Sequence, residues 1–175
     1  MKKYNWKPTV QDVAQIGMMV AIIEVCKVVL MGLPNIELTT FWIIMFSIYF
    51  GNKVFWVIPV FTLLEGALFG FHIWWVMYLY MWPSLVFFAR LLKGMDSIFA
   101  YSILSAMYGL LFGFFCAIPY VVIGTVDGGI GNGLYTGFTW WVAGIPYDLI
   151  HGVGNFVLMF IFCFLSNKTH SSSAS

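Results

Sequence analysis

Five ionisable residues lie inside stretches of sequence that are otherwise almost entirely apolar. They are Glu24, Lys27, Glu65, Asp148 and His151. Charged groups are costly in a membrane interior, so such residues are rare there and usually face the inside of a helical bundle or a wet cavity. These five residues are therefore the first candidates for a binding site.

Glu24 and Lys27 lie three positions apart, which places them on the same face of a helix, where they can pair. One interpretation is an ion pair that fixes the rotation of this helix. The other is that both residues form the polar floor of a ligand site. Glu65, less than two turns from the end of its own predicted helix, would add a carboxylate to the same cavity.

The last apolar stretch carries the densest set of polar and aromatic residues. They repeat at helical spacing and form one face of the helix, and Tyr147 lies beside that face. The residues of the face are Trp141, Gly144, Asp148, His151 and Asn155. A hydrogen bond between His151 and Asp148 would explain these two residues by packing alone. Two ionisable residues and an asparagine exceed what packing requires, so the pattern favours contact with a ligand.

Trp74, Tyr78 and Trp82 repeat every four residues in the fourth apolar stretch. Aromatic residues near a helix end often form a belt at the membrane surface, which is one interpretation of Trp74. Trp82 lies roughly 12 Å deeper at 1.5 Å per residue. An aromatic wall on which a flat ring could stack explains that depth better.

The sequence lacks the common catalytic motifs, including a Walker A loop, HExxH and GxSxG. We therefore predict no catalytic residues, no ATPase site in this chain and no cofactor. The cysteines (Cys26, Cys116 and Cys163) are isolated in apolar runs, with no metal-binding spacing. No metal site is predicted.

The composition of the chain excludes a soluble protein. Of its 175 residues, 62% are hydrophobic and only 9% are charged, whereas a soluble domain has about a quarter charged residues. A soluble enzyme and a nucleic-acid-binding protein are both excluded at this step. We expect one integral membrane domain over residues 1–175.

The apolar stretches are too long for strands, and backbone groups in lipid must be hydrogen-bonded internally, so the predicted class is all-α. Turn residues divide the chain into six predicted transmembrane helices, which would form one bundle. These helices span residues 10–32, 38–51, 54–71, 74–92, 97–124 and 139–165. Asp96 or Ser97 is expected to cap the fifth helix, and Thr139 the sixth. The break between these two is the glycine-rich segment 124–137.

The basic residues are distributed unevenly among the predicted connections. Seven of the eight lie before the first helix, between the second and third, after the fourth or after the sixth: Lys2, Lys3, Lys7, Lys53, Arg90, Lys93 and Lys168. With six spans, all of these regions are on one side of the membrane. The positive-inside rule then predicts that both termini are cytoplasmic.

Small residues repeat every three or four positions on two predicted helices. Gly109, Gly113 and Ala117 lie on the fifth helix, where packing within the chain is the simplest interpretation. Ala14, Gly17 and Ala21 lie on the first helix and would also allow another helix to approach closely.

The chain resembles the substrate-binding S-component of an energy-coupling factor (ECF) vitamin transporter. The resemblance covers nearly the whole chain and rests on the small-residue first helix, on the turn over residues 33–37 (Leu-Pro-Asn-Ile-Glu), and on the final helix. That helix reads Gly-Ile-Pro-Tyr-Asp-Leu-Ile-His-Gly-Val-Gly-Asn over residues 144–155.

The resemblance implies that Ala14, Gly17 and Ala21 dock on a transmembrane coupling protein, which joins two ABC-type ATPases. It also implies a vitamin-binding pocket in the outer half of the bundle and a location in the cell membrane of a prokaryote. The substrate-binding residues would be Glu24, Lys27, Glu65, Trp74, Tyr78, Trp82, Trp141, Tyr147, Asp148, His151 and Asn155. The bundle would rotate in the membrane after capturing its ligand.

The aromatic and polar residues suit a corrinoid, thiamine or its pyrimidine, or a pyridoxine-type compound. Two other functions stay open at this point. One is a membrane enzyme with Asp148 and His151 as an acid–base pair. The other is a structural or assembly subunit in which the polar residues only fix helix packing.

Overall fold

The computed structural model describes residues 8–33, 36–95 and 97–172, with side chains in the last helix described as far as residue 164. All regular structure in these ranges is helical, which confirms the predicted all-α class. The elements are α1 (Val10–Leu30), α2 (Thr39–Tyr49), a 3₁₀ turn (Gly51–Lys53), α3 (Val54–Phe69), α4 (Ile73–Leu91), α5 (Ile98–Leu110) and α6 (Phe112–Ser172).

Within the part of the chain that the structure describes, three helical stretches are long and apolar enough to cross a membrane: Val10–Leu30, Gly51–Phe69 and Ile98–Phe164. A crossing helix needs about 20 predominantly apolar residues. α2 is apolar but has only 11 residues. The fold is therefore that of an all-helical protein whose apolar helices are compatible with a membrane.

α6 contains a sharp break at Gly128 and Gly129, where the backbone leaves helical geometry. Gly129 has a φ of 81°, a conformation that glycine adopts without steric penalty. Across the break, the Asn132 side-chain amide donates a hydrogen bond to the Gly124 carbonyl at 2.9 Å. The chain therefore reverses direction, and residues 112–127 and 130–172 form the two arms of a helical hairpin.

The break is narrower than the sequence predicts. Instead of a glycine-rich connection over 124–137, only two residues leave helical geometry. Thr139 is not an N-cap, because it lies inside α6, where its hydroxyl donates to the Tyr135 carbonyl at 2.9 Å. The physical reason is that three of the six glycines in this segment, Gly124, Gly133 and Gly137, bring the two arms into contact instead of unwinding them. A Cβ on Gly133 or Gly137 would collide with Val121 of the opposite arm.

The same close packing continues along α5. A Cβ on Gly109 would come within 2.7 Å of the Gly152 backbone, and a Cβ on Gly113 would collide with the Asp148 carboxylate. The prediction that these small residues pack within the chain is confirmed. The result is one long hairpin in which α5 and the first arm run antiparallel to the second arm.

At the other end of the bundle, the start of α1 lies beside the turn between α2 and α3. The Lys53 ammonium pairs with the Asp12 carboxylate at 2.7 Å and donates to Gln15 at 2.6 Å. Ser97 caps α5 as predicted, accepting from the Ala100 N–H at 3.3 Å. Asp96, the other predicted cap, lies outside the described residues.

The core is formed mainly where α2, α3 and α4 meet α1. Its largest fully buried side chains include Trp82, Phe61, Met19, Ile23, Ile43, Ile44, Met77, Met81 and Leu85. α2 buries both sides of its short length, which explains why an 11-residue helix is retained in the bundle. This core holds α1, α3 and α4 in place around the site described next.

Candidate functional site: a polar cavity beside an aromatic cage

An ion pair links α1 to α3 near one end of the bundle. The Lys27 ammonium contacts the Glu65 carboxylate, whose side chain is fully buried, while that of Lys27 is 20% exposed. A carboxylate at such a position requires a positive partner, because an unpaired buried charge is strongly destabilising. The pair brings two of the predicted site residues together.

Three aromatic rings surround the Lys27 ammonium. Its nitrogen lies 5.0 Å from the ring centroid of Phe69, 5.9 Å from that of Trp74 and 5.6 Å from that of Tyr78. Trp74 and Tyr78 are one helical turn apart on α4 and meet edge to face. We call these three rings the aromatic cage. Within about 6 Å of a ring centroid, a cation is attracted by the negative face of the ring.

Glu24 lies one turn before Lys27 on α1 and is 7% exposed. Both of its carboxylate oxygens are buried without a hydrogen-bond partner. The Glu24–Lys27 ion pair considered from the sequence is not the pair that forms, because Lys27 reaches across to Glu65 instead. Glu24 therefore adds a buried carboxyl group without a hydrogen-bond partner close to the cage.

A second contact between ionisable side chains lies on the other side of Lys27. His151 Nε2 of α6 is 3.2 Å from Glu37 Oε1, and the His151 side chain is only 4% exposed. A cavity of about 210 Å³ lies between this pair and the end of α1. Its lining residues are Lys27, Leu30, Met31, Leu33, Ile36, Glu37, Phe112 and His151.

Glu37 is a site residue that sequence reasoning missed. In the sequence Glu37 belongs to the 33–37 turn, and the signal that marks it is an acidic residue directly before an apolar helix. Burial raises the pKa of Glu37, but the adjacent His151 imidazole and the Lys27 ammonium outweigh it. The pKa of Glu37 therefore lies below its ordinary value, and its carboxylate is charged at neutral pH.

Two predicted site residues on α6 have partners within the hairpin. Asp148 Oδ1 accepts a hydrogen bond from the Gly113 N–H at 2.9 Å, and the Asn155 amide donates to the Ser105 carbonyl at 3.2 Å. Both residues are buried. These hydrogen bonds hold α5 and the two arms together, whereas His151 on the same helix pairs with Glu37.

The remaining predicted site residues do not line this cavity. Trp82 is fully buried and packs edge to face on Tyr78 and Phe61, so it supports the cage from below. Trp141 packs on Phe114 within the hairpin. Tyr147 is 58% exposed on the outside of α6.

The small residues of α1 form an exposed face. Ala14, Gly17 and Ala21 are all exposed, and no atom lies within 4 Å of a Cβ placed on Gly17. The polar residues of α1 that form the site are on its buried side. One helix therefore presents a binding residue inward and a flat, small-residue surface outward.

Within the described part of the chain, no cluster of three or more His, Cys, Asp or Glu residues could hold a metal ion. Comparison of the chain with protein-family models, with curated proteins and with solved structures found no match. The geometry of the cavity and the exposed face of α1 are therefore the features that bear on function.

Proposed function

We propose that this chain is the membrane-embedded substrate-binding subunit of an ECF-type ABC importer for a vitamin or related micronutrient. In this proposal the chain crosses a prokaryotic cell membrane six times, with both termini in the cytoplasm. A transmembrane coupling protein and two ATPases would complete the importer, because this chain carries no Walker A motif.

The observation that carries the proposal is the convergence of polar and aromatic residues around Lys27, which itself lines the cavity. Lys27, Glu65, Trp74, Tyr78 and His151 come from four different helices, and all five were selected from the sequence. A mostly apolar pocket with a few convergent polar groups is the usual form of a small-molecule site. The separate partners of Asp148 and His151 favour binding over acid–base catalysis by these two residues.

The exposed small-residue face of α1 supports the second half of the proposal. Small residues allow the backbones of two membrane helices to approach closely, so a partner helix can pack along Ala14, Gly17 and Ala21. Docking there would leave the cavity accessible, since Ala14, Gly17 and Ala21 lie in the first two thirds of α1 and the cavity lies at its other end.

The proposal is tested by purifying the tagged chain in mild detergent from cells that also produce coupling protein and ATPases. We expect these proteins to copurify with it and mass spectrometry to detect one retained small molecule. A purified chain without ATPases and without a ligand would contradict the proposal. Turnover of a substrate by the isolated chain would favour the enzyme alternative instead.

The docking face is tested by adding bulk to it. Gly17→Trp and Ala21→Trp should abolish copurification and uptake while ligand binding is retained, because the indole prevents close helix approach. Ile103→Trp is the matched control, since Ile103 is exposed on α5, away from this face. Normal uptake by both α1 variants would show that α1 is not the docking helix.

A further inference from the structure

The carboxyl groups near Lys27 outnumber their cationic partners. Three carboxyl groups, those of Glu24, Glu37 and Glu65, lie close enough to Tyr78 to interact with it electrostatically, and Glu37 also lines the cavity. Their positively charged neighbours are Lys27 and, when it is protonated, His151. The buried Glu24 carboxyl group is left without a cationic partner of its own, and in a region of low dielectric constant this favours a ligand that brings positive charge.

The aromatic cage already holds a cation, and that cation is part of the chain. The Lys27 ammonium lies within 6 Å of all three ring centroids and contacts Glu65. Rings arranged around a carboxylate are a recognised site for organic ammonium groups. Lys27 therefore occupies the position that a cationic ligand would take.

Lys27 also has an alternative acidic partner. It lines the cavity that contains Glu37, and its charge helps to hold the pKa of Glu37 below the ordinary value. The flexible four-carbon stem of lysine allows its ammonium to move. Lys27 can therefore leave the cage toward Glu37 without losing a carboxylate partner.

We propose that the ligand is a small organic cation whose positive nitrogen displaces the Lys27 ammonium from the aromatic cage. In the bound state the cation faces Phe69, Trp74 and Tyr78 and pairs with Glu65 and Glu24. Lys27 then pairs with Glu37. This inference rests on the proposed binding function of the cavity and names the class of substrate.

The test uses two pairs of probes that differ mainly in charge. Choline is compared with its neutral isostere 3,3-dimethylbutan-1-ol, and 1-methylnicotinamide with nicotinamide, by calorimetry on the full chain in lipid nanodiscs. We expect the cationic member of at least one pair to bind about tenfold more tightly than its neutral partner, which corresponds to about 1.4 kcal/mol. Equal affinities within both pairs, or no binding by any probe, would overturn the inference.

Substitution of Lys27 separates displacement from direct contact. Because the ammonium no longer competes for the cage, Lys27→Met should strengthen binding of the cationic probe by about tenfold. The double variant Lys27→Met/Glu65→Gln has no net change in the charge of this pair and should lose the preference for cations. Lys93→Met, on an exposed lysine far along the chain, is the matched control. Weaker cation binding by Lys27→Met would show that Lys27 itself holds the ligand.

The outcomes also separate this inference from the proposed function. If ATPases copurify with the chain but its retained ligand is neutral or anionic, the function stands and the cationic ligand is excluded. If no ATPases copurify but the cationic probes bind as expected, the cage is a cation site in a protein of another function.

Discussion

At the scale of single residues, Asp148 illustrates how a polar side chain inside an apolar helix can serve the fold. Leu111 interrupts the helix between α5 and α6, so the first N–H groups of α6 lack intrahelical partners. The Asp148 carboxylate satisfies one of them, that of Gly113, from the opposite arm. A residue selected from the sequence as a ligand contact thus also has a clear structural role.

We expect Asp148→Ala to destabilise the chain by about 1–3 kcal/mol, the range for a buried hydrogen-bonding group left without its partner. Asp148→Asn keeps an acceptor oxygen and should have a smaller effect. Thermal unfolding of both variants in detergent measures this difference. Equal melting temperatures for Asp148→Ala and the unsubstituted chain would exclude the capping role.

Glu37 gives an expectation for pH dependence. Its pKa is lowered in the folded chain by His151 and Lys27, so its contribution to stability is present above the unfolded value of about 4.3. That contribution is lost as the pH falls through the lower folded value. We expect acidification from about pH 5 to about pH 3 to lower the melting temperature more in the unsubstituted chain than in Glu37→Gln. Parallel pH profiles would contradict this expectation.

At the scale of elements, the hairpin of α5 and α6 depends on glycines that allow helix backbones to touch. A Cβ on Gly109 would lie 2.7 Å from backbone atoms of Gly152, which cannot move aside as a side chain could. Gly109→Ala should therefore destabilise the fold by about 1–3 kcal/mol through overpacking. Gly17→Ala is the matched control, because no atom lies near the added methyl group. Similar unfolding of both variants would show that the hairpin tolerates separation.

The elements themselves could largely be predicted from the sequence, because long apolar runs and turn residues mark their ends. The short α2 and the tight turn at Gly51 agree with the predicted boundaries. The hairpin turn could not be located within its glycine-rich segment, since glycine both breaks helices and permits their close contact. Whether Gly133 or Gly137 breaks the helix or allows close contact depends on the residues of the opposite arm.

The residues of the candidate site are easier to predict from the sequence than the partners with which they pair. Buried charges such as Lys27, Glu65 and His151 stand out in an apolar sequence. Their partners depend on how helices pack, so the sequence could not show that Lys27 reaches Glu65 instead of Glu24, or that His151 meets Glu37 instead of Asp148. Spacing along one helix cannot reveal contacts between helices.

At the scale of the whole molecule, two basic residues and the cavity mark the two ends of the bundle. Lys53 and Arg90 lie with the start of α1 at one end, and the cavity beside Lys27 lies near the ends of α1 and α3. The second arm of the hairpin is described in full as far as residue 164, a length of about 50 Å at 1.5 Å per residue. This exceeds the membrane hydrocarbon core of about 30 Å, so the arm is long enough to place its two ends on opposite sides.

The orientation can be tested with cysteines at the two ends of that arm, in a background where Cys26, Cys116 and Cys163 are replaced by serine. Gly131→Cys is placed beside the hairpin turn, where an added side chain meets no other atom, and Ser172→Cys is placed at the end of α6. We expect a membrane-impermeant maleimide to label Gly131→Cys in intact cells and Ser172→Cys only after permeabilisation. Labelling of Ser172→Cys alone from outside would show that the orientation is the reverse of the one proposed. Labelling of both from one side would mean that the second arm does not cross the membrane, and would remove one of the six proposed spans.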